Sequence, residues 1–153
     1  MDGLLAPVAE FLDGQGWSYE PLPGRDDVLS FPFRGDRETW TCFAEAFEEQ
    51  QRVAFYSVVP FNVPEEGRPA VMEFITRANY GLLIGNFELD LADGEVRFKT
   101  GLDVRGAQLT ATLAGRAIIP NLHAVNTYLP GLEALVGDNS AAPAELVAEI
   151  ESG

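Results

Sequence analysis

The spacing of apolar residues changes several times along this chain, and each change marks an element. Leu4, Leu5, Val8, Phe11 and Leu12 fall on one stripe at helical spacing, so the first element reads as an amphipathic helix. Pro7 lies early enough to be tolerated near its first turn, and Gly14 and Gly16 end it. Trp17 to Pro21 then runs extended into a Pro/Gly loop. Alternation takes over at residues 28–33, where Leu29, Phe31 and Phe33 share a face. Pro32, with no N–H for a ladder, marks an edge or bulged position there. Gly35-Asp36 makes a turn into a second strand, Thr39–Phe47. The polar tip at residues 48–51 leads into a third strand over residues 53–59. The three strands form an antiparallel meander in which aromatics are concentrated.

Helical spacing returns after Pro64-Glu65-Glu66, whose acids complement a helix N-terminus. Val71, Met72, Phe74, Ile75 and Ala78 mark its buried stripe, and Gly81 is its stop. A second hairpin follows, with Asp93-Gly94 as the favoured type I′ pair. A two-residue loop there sets Asp90 opposite Arg97 and Glu88 opposite Lys99 on one face. On the other face Leu91 meets Val96, Leu89 meets Phe98 and Phe87 meets Thr100. The remainder is helical: Leu109, Leu113, Ala117 and Ile118, then Leu122, Val125, Leu129, Leu132 and Val136. Pro120 and Pro130 are expected to kink or divide this stretch. Pro143 starts a short last helix carrying Leu146, Val147 and Ile150. The order α-βββ-α-ββ-α(α) is that of an α+β fold, an antiparallel sheet with helices packed on it. No internal repeat interrupts it, and one domain over residues 1–153 is expected.

Composition supports one sizeable core: of 153 residues, 46% are apolar, ten of them Phe, which excludes a disordered chain. Ten Lys and Arg stand against 24 Asp and Glu, a net charge of −14. Such a surface repels phosphate backbones and anionic lipid, so neither nucleic acid nor membrane is an expected partner. The single cysteine rules out an internal disulfide framework and suits a reducing compartment. The first segment has no basic start and no run reaches the length of a membrane span, so the cytoplasm is the expected location.

Candidate chemistry is sparse. His123 stands alone, and neither H-E-x-x-H nor C-x-x-C spacing occurs, so no metal site and no cofactor is expected. Cys42 alternates with Trp40 and Ala44 and reads as a small buried hydrophobe. Arg34-Gly35-Asp36 reads as a hairpin turn rather than an adhesion motif, and the segment from Gly81 to Gly85 lacks phosphate-loop spacing. Glu48/Glu49 and Glu65/Glu66 sit where solvated acids belong. The polar cluster Arg77, Asn79 and Tyr80 closes the central helix. With Tyr56 it forms the candidate site, either a binding site or a structural junction before the second hairpin.

The runs at residues 56–66 (YSVVPFNVPEE) and 74–90 (FITRANYGLLIGNFELD) resemble the YbjN family of bacterial sensory transduction regulators. The similarity continues through residues 93–100 and 128–132 and takes in the N-terminal helix with Trp17, so it covers nearly the whole chain. The resemblance implies a fold like that of type III secretion chaperones. Those are typically small, acidic and dimeric, and hold client segments without catalysis. It brings no catalytic motif. The expectation is therefore a non-enzymatic, chaperone-like or regulatory protein-binding domain, linked to sensory transduction or stress response, with a protein client. A homodimer is expected, with Val28 and Trp40 counted toward the apolar strand surface it would bury. The alternative is a small-molecule sensor with a pocket between helix and sheet near Tyr56, Arg77 and Asn79.

Overall fold

The computed structural model describes residues 1–137 and 141–153. Helix α1 (Leu5–Gln15) is followed by strands β1 (Glu20–Pro21), β2 (Val28–Arg34), β3 (Thr39–Phe47) and β4 (Arg52–Asn62). One 3-10 turn (Glu65–Gly67) opens into α2 (Arg68–Gly81). Then come β5 (Asn86–Leu89), β6 (Glu95–Asp103), α3 (Ala111–Val136) and α4 (Pro143–Ser152). The strands make one six-stranded sheet in the order β1-β2-β3-β4-β6-β5, every neighbour antiparallel. The α+β architecture and element order follow the sequence pattern, with β1 as an added two-residue strand.

Alternation decides which face of the sheet the helices cover. Leu29, Cys42, Phe55 and Phe98 are buried on one face, and α3 packs against β4 and β6 above them. Buried side chains from both layers form one contiguous core, in which Phe74 and Phe98 are fully enclosed. Removing such a ring from water contributes about 1.5–3 kcal/mol. The opposite face of the sheet carries no helix. Pro32 fits its strand because β1 covers only Leu29 and Ser30, leaving the rest of that margin of β2 as an edge.

Four local expectations are corrected. First, α3 runs unbroken from Ala111 to Val136 with Pro120 and Pro130 inside it. Both prolines and the residues four before them, Arg116 and Asn126, lie at least partly exposed, so water can reach the carbonyls that lose their N–H partner. Second, the β5–β6 register is shifted by two residues from the one expected: Glu88 pairs with Arg97 and Phe87 with Phe98. The loop is four residues, 91–94, closed by the Asp90 amide on the Glu95 carbonyl (2.9 Å). The Asp90 carboxylate accepts from the Ala92 amide and the Asp93 carboxylate from the Glu95 amide, turns that compete with a type I′ pair. Only Gly94 of that pair has positive φ (81°). A shift of two leaves every side chain on its face.

Third, Met72 is 44% exposed and does not join Val71, Phe74, Ile75 and Ala78 in the buried stripe of α2. Fourth, Val28 and Trp40 are buried inside the protomer and supply no surface to a second copy.

Candidate functional site

The structure separates the four residues singled out at the end of α2 and on β4. Asn79 reaches β5: its Oδ1 accepts from the Phe87 amide at 2.7 Å and its Nδ2 donates to the Phe87 carbonyl at 3.1 Å. One side-chain amide thus pairs with the outward N–H and C=O of an edge strand, as another strand would. Arg77 turns away to Glu73, one helical turn back, at 2.7 Å. Tyr80 is 95% exposed. Tyr56 lies on the uncovered face of the sheet, since its neighbours Phe55 and Ser57 are buried on the other. The Arg97 guanidinium sits over its ring, 4.4 Å from the centroid. The helix-and-sheet pocket expected near Tyr56, Arg77 and Asn79 is not formed by these positions.

On that uncovered face, charge is paired across strands. Glu88 accepts from Arg97 at 2.7 Å and from Lys99 at 2.9 Å. Partial burial pushes its carboxyl up, but the hydrogen bonds from Lys99 and Arg97 outweigh burial and hold it below the usual carboxylate range. Cys42, beneath the helices, lies 3.5 Å from the Ser57 hydroxyl, and burial pushes its thiol up to about 12. A thiol so placed is inert at neutral pH. Among the described residues no group of three His, Cys, Asp or Glu is placed to hold a metal. No helix among them is long and apolar enough to cross a membrane.

Exposed apolar side chains also gather along α3. Between α2 and β5 the chain passes Leu83, fully exposed, and Ile84, 51% exposed, and beside them α3 presents Ile119, 44% exposed. Ile84 and Pro120 line two adjoining depressions along the outer side of α3. The larger, about 890 Å³, reaches Phe11 of α1. Its floor includes Gly115, where any Cβ would strike the Phe11 ring, so the small residue sets how closely α1 and α3 approach. The other ends at Tyr128, whose hydroxyl donates to Glu151 of α4 at 2.8 Å. Burial and that carboxylate push the phenol up to about 12. A third depression, shared through Ile119 and His123, extends the groove to Trp17 and the β2–β3 turn.

Sequence reasoning missed this groove. Its one linear signal is the apolar run Leu82-Leu83-Ile84, which belongs to no helix or strand and so has no face to bury. Grooves of this kind, shallow and apolar, accept side chains of another protein.

Comparison with known proteins follows the same lines. No curated protein matches the chain. Among solved structures, "Crystal structure of YbjN, a putative transcription regulator from E. coli" superposes with a TM-score of 0.62 at 14% identity. It covers 86% of this chain and 94% of that one, so the two share a fold. The family model YbjN, described as "Putative bacterial sensory transduction regulator", matches residues 5–134, from the start of α1 almost to the end of α3. This chain belongs to the YbjN family.

Proposed function

We propose that this chain is a non-enzymatic regulatory protein that works by holding a partner protein in the groove along α3. The observation that carries this reading is the bare apolar surface of Leu83, Ile84 and Ile119 beside that groove. The family description, a regulator of sensory transduction, supports a role without catalysis. The solved relative is described as a transcription regulator; for a chain at −14, protein contact suits such a role better than DNA phosphates.

The test is affinity capture from the native cell with wild type and with a Leu83→Asp, Ile84→Asp double variant. A partner recovered reproducibly by the wild type and lost by the variant, at an unchanged thermal midpoint, supports the proposal. A partner held equally by both defeats it.

A further inference from the structure

We infer that α4 fills, from within the chain, a helix seat between α2 and α3 that continues the groove, and that a partner helix of the same side-chain pattern enters by displacing it. The inference rests on the protein-binding reading above and specifies the partner's chemistry and what holds it out.

Groove and seat lie along one row of α3. Ala111, Gly115, Ile119, His123 and Thr127 line the groove at intervals of four, and the next residue in the row is Gly131. There α4 takes over. A Cβ on Gly131 would strike the Phe74 ring and lie 3.0 Å from Ile150 Cδ1, so the missing side chain makes the hollow that Ile150 fills. Leu146 and Val147 complete the buried stripe of α4, which packs against both α2 and α3. The depression beside Leu83 and Ile84 ends at Gly81 and Tyr128. Glu151 closes that end: it accepts from the Tyr128 hydroxyl at 2.8 Å, and a Cβ on Gly81 would lie 3.5 Å from its Oε2.

Little beyond that stripe holds α4 down. Its ten residues fall short of the roughly 12–15 that an isolated helix needs in water, so it depends on its seat. Ala142 gives it no side-chain cap, and Glu149 and Glu151 in its last turn oppose the helix dipole. Among the described residues, Tyr128 to Glu151 is the one side-chain hydrogen bond that ties it to α2 or α3, and no ion pair does. It also lies beyond residues 5–134, which the family model matches. A short helix held in this way opens without unfolding the sheet beneath it.

The occupant itself shows what the seat accepts. α4 offers Leu146, Val147 and Ile150, apolar side chains at positions i, i+1 and i+4, then a carboxylate at i+5 for the Tyr128 hydroxyl. A partner helix with that pattern, extended beyond its carboxylate, fits the seat and runs on into the groove, whose lining includes no residue of α4. Those added contacts are the differential that decides the exchange. Until then the tethered α4 competes at an effective concentration of about 1 mM, and the partner's apparent affinity is lowered by the fraction of chains whose seat is open.

The test keeps the full-length chain and uses as probe a fluorescein-labelled peptide of residues 141–153. Leu146→Asp with Val147→Asp unseats the chain's own helix. That variant should bind the peptide saturably by fluorescence anisotropy, and the wild type about tenfold or more weakly, because its seat is filled. Amide shifts should fall on α2, on residues 81–84 and on α3 after Pro120. In the wild type, native-state hydrogen exchange should show the α4 amides opening while β4 and α3 stay protected. Tyr128→Phe should speed that opening about fivefold with the β4 rates unchanged, an arm that stands even if the double variant fails to fold. α4 amides that exchange only together with those of β4 overturn the inference and make α4 a fixed part of the core. Equal peptide binding by both chains, or none by a folded variant, overturns it as well. Shifts that spare residues 81–84 separate the seat from the groove and overturn it, leaving the groove reading intact. A peptide that binds as expected, beside a partner held equally by wild type and by the Leu83→Asp, Ile84→Asp chain, overturns the groove reading while supporting the seat.

Discussion

The two outer surfaces of this molecule are finished in different ways. On the uncovered face of the sheet, Tyr56 lies under the Arg97 guanidinium and Glu88 sits between Arg97 and Lys99. The Tyr56 ring and the charges of Glu88, Arg97 and Lys99 are thus matched within the protomer. On the outer side of α3, Ile84 and Ile119 lie bare, and the Arg116 side chain has no ion pair or hydrogen bond among the described residues. Matched surface contributes modestly to stability and has little left to offer another molecule. Unmatched surface adds nothing to stability and keeps its contacts for a partner. The contrast teaches that stability and binding are carried by separate sets of residues, so substitutions should divide into two classes.

The largest loss of stability is expected at neither surface but at the seam between them. Gly94 has φ of 81°, and any Cβ there would run into the Val63 carbonyl, whose own amide donates to the Gly94 carbonyl at 2.8 Å. Gly94→Val should cost about 3 kcal/mol or more, read as a fall in the urea midpoint. Next comes Asn121, buried in α3, whose Nδ2 donates to the Phe55 and Phe98 carbonyls at 3.0 and 3.2 Å and so ties the helix to β4 and β6. Asn121→Ala should cost about 2 kcal/mol by the same measurement. Asn79→Ala should cost about 1 kcal/mol, because it leaves the Phe87 amide unmet and the Phe87 carbonyl with only the Asn86 side chain at 3.3 Å. All three variants should keep the groove intact, and loss of partner binding in any that remains folded would blur the division.

Glu88 gives the smallest effect. Its folded-state carboxyl titrates below the unfolded one, so its contribution is present above the unfolded pKa and is lost as pH falls through the folded value. The group is partly exposed, so the expected loss for Glu88→Gln at neutral pH is under ~1 kcal/mol. The variant's stability should fall less steeply than the wild type's across the carboxylate range. Equal slopes in urea titrations from neutral to acid pH would show that the matched face adds nothing.

Elements were legible in the sequence where one period ruled a whole segment. The spacing of Val71, Phe74, Ile75 and Ala78 places α2, and the polar tip at residues 48–51 joins β3 to β4 with the predicted bounds of β3. The β5–β6 hairpin shows where local rules end. Asp93-Gly94 favours a short loop, but Asp90 and Asp93 turn back on the backbone and Val63 packs against Gly94, contacts invisible to pairwise reading. The charge pattern survived the error because the shift was even: Glu88 meets Arg97 as well as Lys99. For the site, proximity in sequence was a poor guide. Arg77, Asn79 and Tyr80 lie within one turn yet point to Glu73, to Phe87 and to solvent. The groove joins Phe11, Ile84 and Ile119 from three separate segments, and nothing in their spacing foretells that meeting.

The division of the two surfaces is tested most directly by a photo-crosslinking amino acid placed at position 84 in one variant and at position 56 in another. Each is expressed in the native cell and irradiated, and the covalent products are compared. The account predicts a discrete partner adduct from position 84 and none from position 56. The same adduct from position 56, with position 84 silent, would contradict it.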